Sequence, residues 1–167
     1  MESCRSRDAF NRPTGIAFAA NGNYFISDGY INSRVVRFGR TGSIRNSGDV
    51  REPVTANSTW CTISPSIRRD ASTWPTARTG RVQVFDQEGN FLAKWPDVGS
   101  PWGLSYVARE NAMYMCDGYN NRIVKLNTEG QVLGVLGSYG KTWGTLDFPH
   151  NIAVDSTGAW RVQKFAK

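Results

Sequence analysis

His150 is the single histidine among 167 residues, and it stands in Phe148-Pro149-His150-Asn151-Ile152. An imidazole near neutral pH is a general acid–base group or a metal ligand. One histidine supplies one strong ligand. The plainer reading of a histidine in a Pro-His-Asn turn is a hydrogen-bonded loop residue. Tyr30 follows Asp28-Gly29 in a polar corner. Asp28 and Arg34 recur as Asp117 and Arg122. A guanidinium beside a carboxylate can bind a substrate acid or fix a chain corner. Because Asp-Gly-Tyr returns at Asp117-Gly118-Tyr119, Asp28 and Tyr30 also read as corner residues. Cys4, Cys61 and Cys116 have no metal-type spacing, and Cys116 sits in an apolar run. No nucleophile-elbow Ser, Gly-rich phosphate loop or CxxC pair points to another enzyme class.

These residues sit on short strand-like runs. In residues 13–38, Gly15-Ile16-Ala17-Phe18 is apolar, Asn21-Gly22 turns, and Tyr24-Phe25-Ile26-Ser27 is aromatic and β-branched. Asp28-Gly29-Tyr30 makes a polar corner, and Arg34-Val35-Val36-Arg37-Phe38 follows it. That order is an antiparallel meander. Pro101-Trp102-Gly103-Leu104-Ser105 restates Pro13-Thr14-Gly15-Ile16-Ala17, and Asn121-Arg122-Ile123-Val124-Lys125-Leu126 restates Ser33 to Phe38. A third opening at Pro149 follows Pro101 by 48 positions. A repeat of this length made of strands alone marks β-propeller blades. The expected fold is all-β, an incomplete propeller of antiparallel four-stranded blades. Ile16, Phe25, Ile26, Leu104, Met113 and Val124 are its expected buried residues.

The chain divides into a disordered lead-in over 1–10 and a partial propeller over 11–167. The propeller comprises a blade at 11–40 lacking its outermost strand, an irregular segment at 41–79, a half blade at 80–100, a blade at 101–137 and a truncated blade at 138–167. Residues 138–148 read as a loop rich in Gly and aromatics. In the last blade Trp160-Arg161-Val162-Gln163-Lys164-Phe165 reads as a third strand, and the second is missing.

The interval 41–79 has abundant Ser, Thr, Pro and Arg and little strand periodicity. Codon arithmetic accounts for it. Joining the last base of each codon to the first two of the next turns Trp60 to Ile67 into Val-His-His-Leu-Ala-Val-Asp. The same regrouping turns Arg69 to Thr79 into Gly-Arg-Val-Tyr-Val-Ala-Asp-Arg-Glu-Asn, which runs into Gly80-Arg81-Val82. The segment reads as a frame-slipped blade. An open sheet edge beside it would still invite part of it to pair.

The net charge is +6. Basic residues are scattered and alternate with apolar ones, as at Arg34, Arg37, Arg81 and Lys125, which argues for solvated strand faces and against a nucleic-acid partner. No apolar run is long enough to span a membrane. Met1 to Asp8 lacks the apolar core of a signal peptide, and the compartment stays open.

The repeats resemble NHL repeats. With Ser27-Asp28-Gly29-Tyr30-x-Asn32-Ser33-Arg34, Pro101-Trp102-Gly103-Leu104-Ser105-Tyr106 and Phe148-Pro149-His150-Asn151-Ile152 in that order, the chain resembles peptidyl-α-hydroxyglycine α-amidating lyases from about Phe10 to Phe165, excluding 41–79. The resemblance implies a six-bladed NHL/TolB-like propeller. It implies a zinc lyase that cleaves a C-terminal α-hydroxyglycine to a peptide amide and glyoxylate, with three zinc histidines and a calcium ion in the central channel. Secreted or periplasmic relatives are implied too. Tyr30 matches the catalytic Tyr and His150 the last zinc histidine of that family, while Asn151 stands where an Asp helps bind calcium. The middle histidine and one Arg exist only in the regrouped text, and the first histidine and other Arg would precede Met1. The expectation is therefore a fragment that is inactive as written and holds neither zinc nor calcium stably. The alternative is a non-enzymatic NHL module binding a protein, peptide or RNA. The expected partners are a peptide substrate or a protein, with aggregation through open sheet edges.

Overall fold

The computed structural model describes residues 9–19, 21–28, 34–46, 66–68, 71–76, 80–87, 90–154 and 160–161. Among these, strands form three four-stranded antiparallel sheets and one two-stranded sheet. Sheet 1 contains β1 (Gly15–Phe18), β2 (Tyr24–Asp28), β3 (Arg34–Phe38) and β4 (Ile44–Asn46). Sheet 2 contains β5 (Ser66–Arg68), β6 (Ala71–Thr76), β7 (Arg81–Asp86) and β8 (Phe91–Trp95). Sheet 3 contains β9 (Pro101–Val107), β10 (Ala112–Asp117), β11 (Arg122–Leu126) and β12 (Val132–Leu136). Sheet 4 pairs β13 (Ala153–Val154) with β14 (Trp160–Arg161).

Each full sheet is an up-and-down meander because tight turns join neighbouring strands. At Asn21-Gly22 the glycine takes φ 84°, and its N–H donates to the Ala19 carbonyl. The Asn21 side chain accepts from the Asn23 N–H at 3.0 Å, closing the turn that the Asn-Gly pair predicts. The pairing of third to fourth strand shifts register at the same place in all three full sheets. First strands contact one another in succession, β1 with β5, β5 with β9 and β9 with β13, so they run along one side of the array.

The core lies between sheets. Val82, Val84, Trp95 and Val98 from sheet 2 and its exit pack on Leu104, Met113, Met115, Val124 and Leu126 of sheet 3. On the opposite face of sheet 3, Trp102, Val107, Tyr114, Cys116 and Ile123 pack with Ile152, Leu146 and Val154. Strands β9, β10 and β11 of sheet 3 pack on both faces, β10 is buried along its whole length, and the outer strand β12 is exposed. Each such aliphatic side chain contributes roughly 1.5–3 kcal/mol on burial.

Phe25, Leu104, Met113 and Val124 are buried as the repeat pattern requires, and Ile26 is half-buried. Ile16 is a correction. It pairs across the sheet with Ile26 and is 51% exposed, with Phe18 beside it at 69%. Leu104, its counterpart in sheet 3, is covered by sheet 2. Sheet 1 has no described sheet on that side, so a side chain of the right type has nothing to bury against.

Parts of the interval 41–79 pair with sheet edges, as an open edge invites. Its described residues include β4, which supplies the outermost strand missing from the first blade, and β5 and β6, which complete the half blade. β6 pairs with β7 from Ala71↔Asp86 to Thr76↔Arg81, and Thr73 is buried. The physical reason is that ladder hydrogen bonds belong to the backbone. The edge of β7 offers unpaired N–H and C=O groups, and a polar segment of the right length can satisfy them. In sheet 4, Trp160–Arg161 takes the place beside β13, so text of third-strand type occupies the second position. Of the lead-in, Ala9 and Phe10 are described. Phe10 packs on Phe38 at 6.1 Å between ring centroids, and the Ala9 carbonyl accepts from Arg34 at 2.6 Å.

Candidate functional site

The repeat corners place Asp28 and Asp117 at the ends of β2 and β10, both wholly buried. The Asp117 carboxylate accepts from the Ser100 N–H at 2.7 Å, the Asn120 amide at 2.8 Å and Arg122 Nε at 2.8 Å. Asp28 accepts from the Asn11 N–H at 2.8 Å and Arg34 Nε at 3.2 Å. Ser100 and Asn11 both lie just before a Pro opening. Each corner carboxylate thus ties the incoming segment to the hairpin end of its own sheet. A buried carboxylate is tolerable when so many donors reach it. These contacts give Asp28, Arg34, Asp117 and Arg122 a role in shaping the blade.

His150 lies on the segment that crosses from sheet 3 into sheet 4. Gly103 allows that crossing, since a Cβ there would stand 2.7 Å from the Asn151 Cα and 2.8 Å from the His150 carbonyl. The imidazole meets the Trp102 ring edge-on at 4.3 Å between centroids, with Phe148 at 5.7 Å. Trp102 also contacts Tyr119 at 5.6 Å and Phe148 at 5.0 Å, and Tyr119 meets Phe148 at 5.3 Å. The Trp102 indole N–H donates to Ser100 Oγ at 3.1 Å, which fixes the ring. Phe148 sits in the left-handed region at φ 56°, an uncommon place for a bulky residue. Its N–H donates to the Asn121 side chain at 2.8 Å, and Asn121 is itself left-handed at φ 55°.

His150 is exposed, and desolvation beside these rings lowers its pKa below the ordinary value, which favours the neutral imidazole. A neutral imidazole could ligate a metal. The neighbours do not support one: the rings facing it offer no ligand, and among the described residues no three His, Cys, Asp or Glu side chains converge on a metal position. Asn151 accepts from the Ile152 N–H at 2.9 Å with its side-chain oxygen. A three-histidine zinc centre does not fit these residues, and neither does a carboxylate-based calcium site at Asn151. Tyr30 lies outside the described residues. Cys116 is buried beside the cluster, and burial pushes its thiol up to about 12, which leaves it unreactive.

On sheet 3 a separate polar group forms. Glu110 accepts from the Tyr114 hydroxyl and from Lys125 Nζ at 2.8 Å, and Lys125 stands over the Tyr114 ring at 5.3 Å. The hydrogen bonds from Lys125 and Tyr114 hold the Glu110 carboxyl at about 2. Sequence reasoning found neither this group nor the aromatic cluster. Trp102 and Phe148 were visible only as members of repeat openings, and Tyr119 only as a corner residue.

No family model matches the chain, and no curated protein sequence matches it. Solved structures do. Hydrazine synthase of Kuenenia stuttgartiensis is similar at a TM-score of 0.69 with 14% identity, over 95% of this chain and 43% of that one. Virginiamycin B lyase of Staphylococcus aureus is similar at 0.66 with 13% identity, over 89% of this chain and 47% of that one. A nidogen/laminin complex contains a chain similar at 0.64 with 19% identity, over 90% of this chain and 55% of that one. The chain therefore spans about half the length of the chains it matches. Virginiamycin B lyase and the nidogen/laminin match are β-propellers, and the likeness at these identities shows the fold: this chain is all-β, an incomplete β-propeller of antiparallel sheets.

Proposed function

We propose that the chain is an arc of an NHL-type propeller related to the amidating lyases, and that it keeps their scaffold without a working metal centre. The observation that carries this reading is the setting of His150. The only histidine of the chain has a lowered pKa, faces Trp102 and Phe148, and belongs to no group of three or more His, Cys, Asp or Glu side chains among the described residues that could hold a metal. In the intact family zinc would polarise the substrate hydroxyl; the described residues around His150 offer a ligand packing and hydrogen-bonding surface. The purified 167-residue chain is expected to release no glyoxylate from an α-hydroxyglycine peptide, with or without added zinc. Zinc-dependent turnover that disappears in His150→Ala would overturn the reading.

The second reading is a non-enzymatic binding module. It is favoured by the cluster of Trp102, Tyr119, Phe148 and His150, in which Tyr119 and Phe148 present exposed ring surface at one end of sheet 3. Aromatic groups of this kind hold peptide or protein side chains.

A further inference from the structure

We propose that sheet 2 carries a binding site for a small carboxylate at Arg81, where the repeat's corner pair lacks its acid. The register identifies the position. Asp28 pairs across the sheet with Arg34 and Asp117 with Arg122, and in each case the arginine Nε donates to the carboxylate. Arg81 is the first residue of β7, as Arg34 is of β3 and Arg122 of β11, and its partner across the sheet is Thr76. A threonine carries no charge to set against a guanidinium. The codon arithmetic meets the same residue. In the regrouped text, the Asp of Ala-Asp-Arg-Glu-Asn takes two of its three bases from the Thr76 codon.

The arginine is left with an orphan donor. Arg81 Nε is buried and has no acceptor among the described residues. Gln83, two residues along β7, repeats the condition: it is 6% exposed, and its Nε2 also has no acceptor there. Residues two apart in a strand share a face. Val82 and Val84 pack toward sheet 3, so Arg81 and Gln83 lie on the other face, toward sheet 1. Sheet 1 is joined to sheet 2 by the contact of β1 with β5 and by the Asn21 side-chain amide, which donates to Gln87 Oε1 at 2.9 Å. In the other two full sheets the third residue of the same strand is Val36 or Val124, both buried. Gln83 is polar where the repeat packs an aliphatic side chain.

Two buried donors on one face, with no acceptor beside them, call for an anion. Leaving such donors unpaired is costly, and a bound acceptor recovers that cost. A carboxylate fits because a planar guanidinium presents its N–H groups in a fork that matches two oxygens. The other two corners of this chain set a carboxylate against the same group. Acetate is the aspartate side chain detached from its backbone. Water would accept from the donors but leave the guanidinium charge unmatched. Arg81 is half-buried, so part of its side chain reaches solvent, and the net charge of +6 draws anions to the chain. The site is separate from His150 and its aromatic neighbours, so it stands or falls independently of both functional readings.

Saturation-transfer NMR on the full chain, titrated with sodium acetate at pH 7 and constant ionic strength, tests this. The acetate methyl signal should show saturable transfer. Arg81→Gln should weaken acetate binding about 10-fold or more, since it removes a charge-assisted pair. Thr76→Asp should abolish binding, because a covalent carboxylate then occupies the corner. It should also raise the urea unfolding midpoint above that of the parent in acetate-free buffer. A variant that gains stability while losing binding does not owe the loss to unfolding. Lys141→Gln, at an exposed loop cation, should leave binding unchanged. No saturable transfer to acetate would overturn the proposal. So would binding that Arg81→Gln leaves intact, the mark of a general salt effect, or a Thr76→Asp chain that binds acetate as the parent does.

Discussion

At the scale of single residues, the corner aspartates hold this protein's repeats together. Asp117 collects a backbone N–H, an amide and a guanidinium in a fully buried position. Asp117→Ala removes the acceptor and leaves the Ser100 N–H buried without it. The expected loss is about 3 kcal/mol in urea titration. Arg122→Gln should cost less, because its side chain is 40% exposed and water can solvate what remains. An Asp117→Ala chain as stable as the parent would remove the corner from the account. Glu110 sets an acid limit. Its carboxyl is held at about 2 in the fold, below its ordinary value of 4.5, by Lys125 and Tyr114. The ionised form is therefore favoured by folding. This contribution is complete above pH 4.5 and is lost as pH falls toward 2. Glu110→Gln should lower the unfolding midpoint slightly at pH 7, where the contribution is complete, and flatten its fall within that window.

At the scale of elements, the contrast between β6 and β10 separates pairing from packing. Both are six-residue strands with a partner on each side. β10 buries every residue, with Met113, Met115 and Cys116 between two sheets. β6 is drawn from text with Ser, Thr and Pro, and its Pro75 cannot donate to the ladder. Hydrogen exchange should therefore be much faster at the amides of 71–76 than at those of 112–117. Equal protection would mean that the interval packs as a normal blade. The same contrast marks the limit of sequence reading here. Apolar patterning located β1 to β3, β7, β8 and β9 to β11, because those strands bury residues against the core, and the apolar run of β12 located that strand although its residues are exposed. Such patterning did not locate β4, β5 and β6, for which the sequence offered only the expectation that an open edge would draw part of 41–79 into pairing.

At the scale of the whole molecule, an array of sheets must cover its first and last faces. Sheet 3 has a neighbour on each side and no large exposed residue on β9, β10 or β11. Sheet 1 leaves Ile16 and Phe18 open on the face that its counterpart buries. Exposed apolar faces favour association and loosen the fold. The isolated chain is expected to bind a hydrophobic dye and to unfold over a broad temperature range, and Phe18→Lys should lower dye binding. A sharp cooperative melt from a monomeric chain that binds no dye would show that the open face costs little. What the sequence by itself determined is the all-β meander, its Asn-Gly turn, its Asp corners and the repeat that makes each sheet a blade. These follow from local spacing, since side-chain period and turn chemistry act within a few residues. Only the tertiary structure decided which apolar faces are covered, that Trp102, Tyr119 and Phe148 gather around His150, and that a polar segment completes sheet 2. Those outcomes depend on which sheets lie side by side, and residues far apart in sequence meet there by packing, which no local pattern encodes.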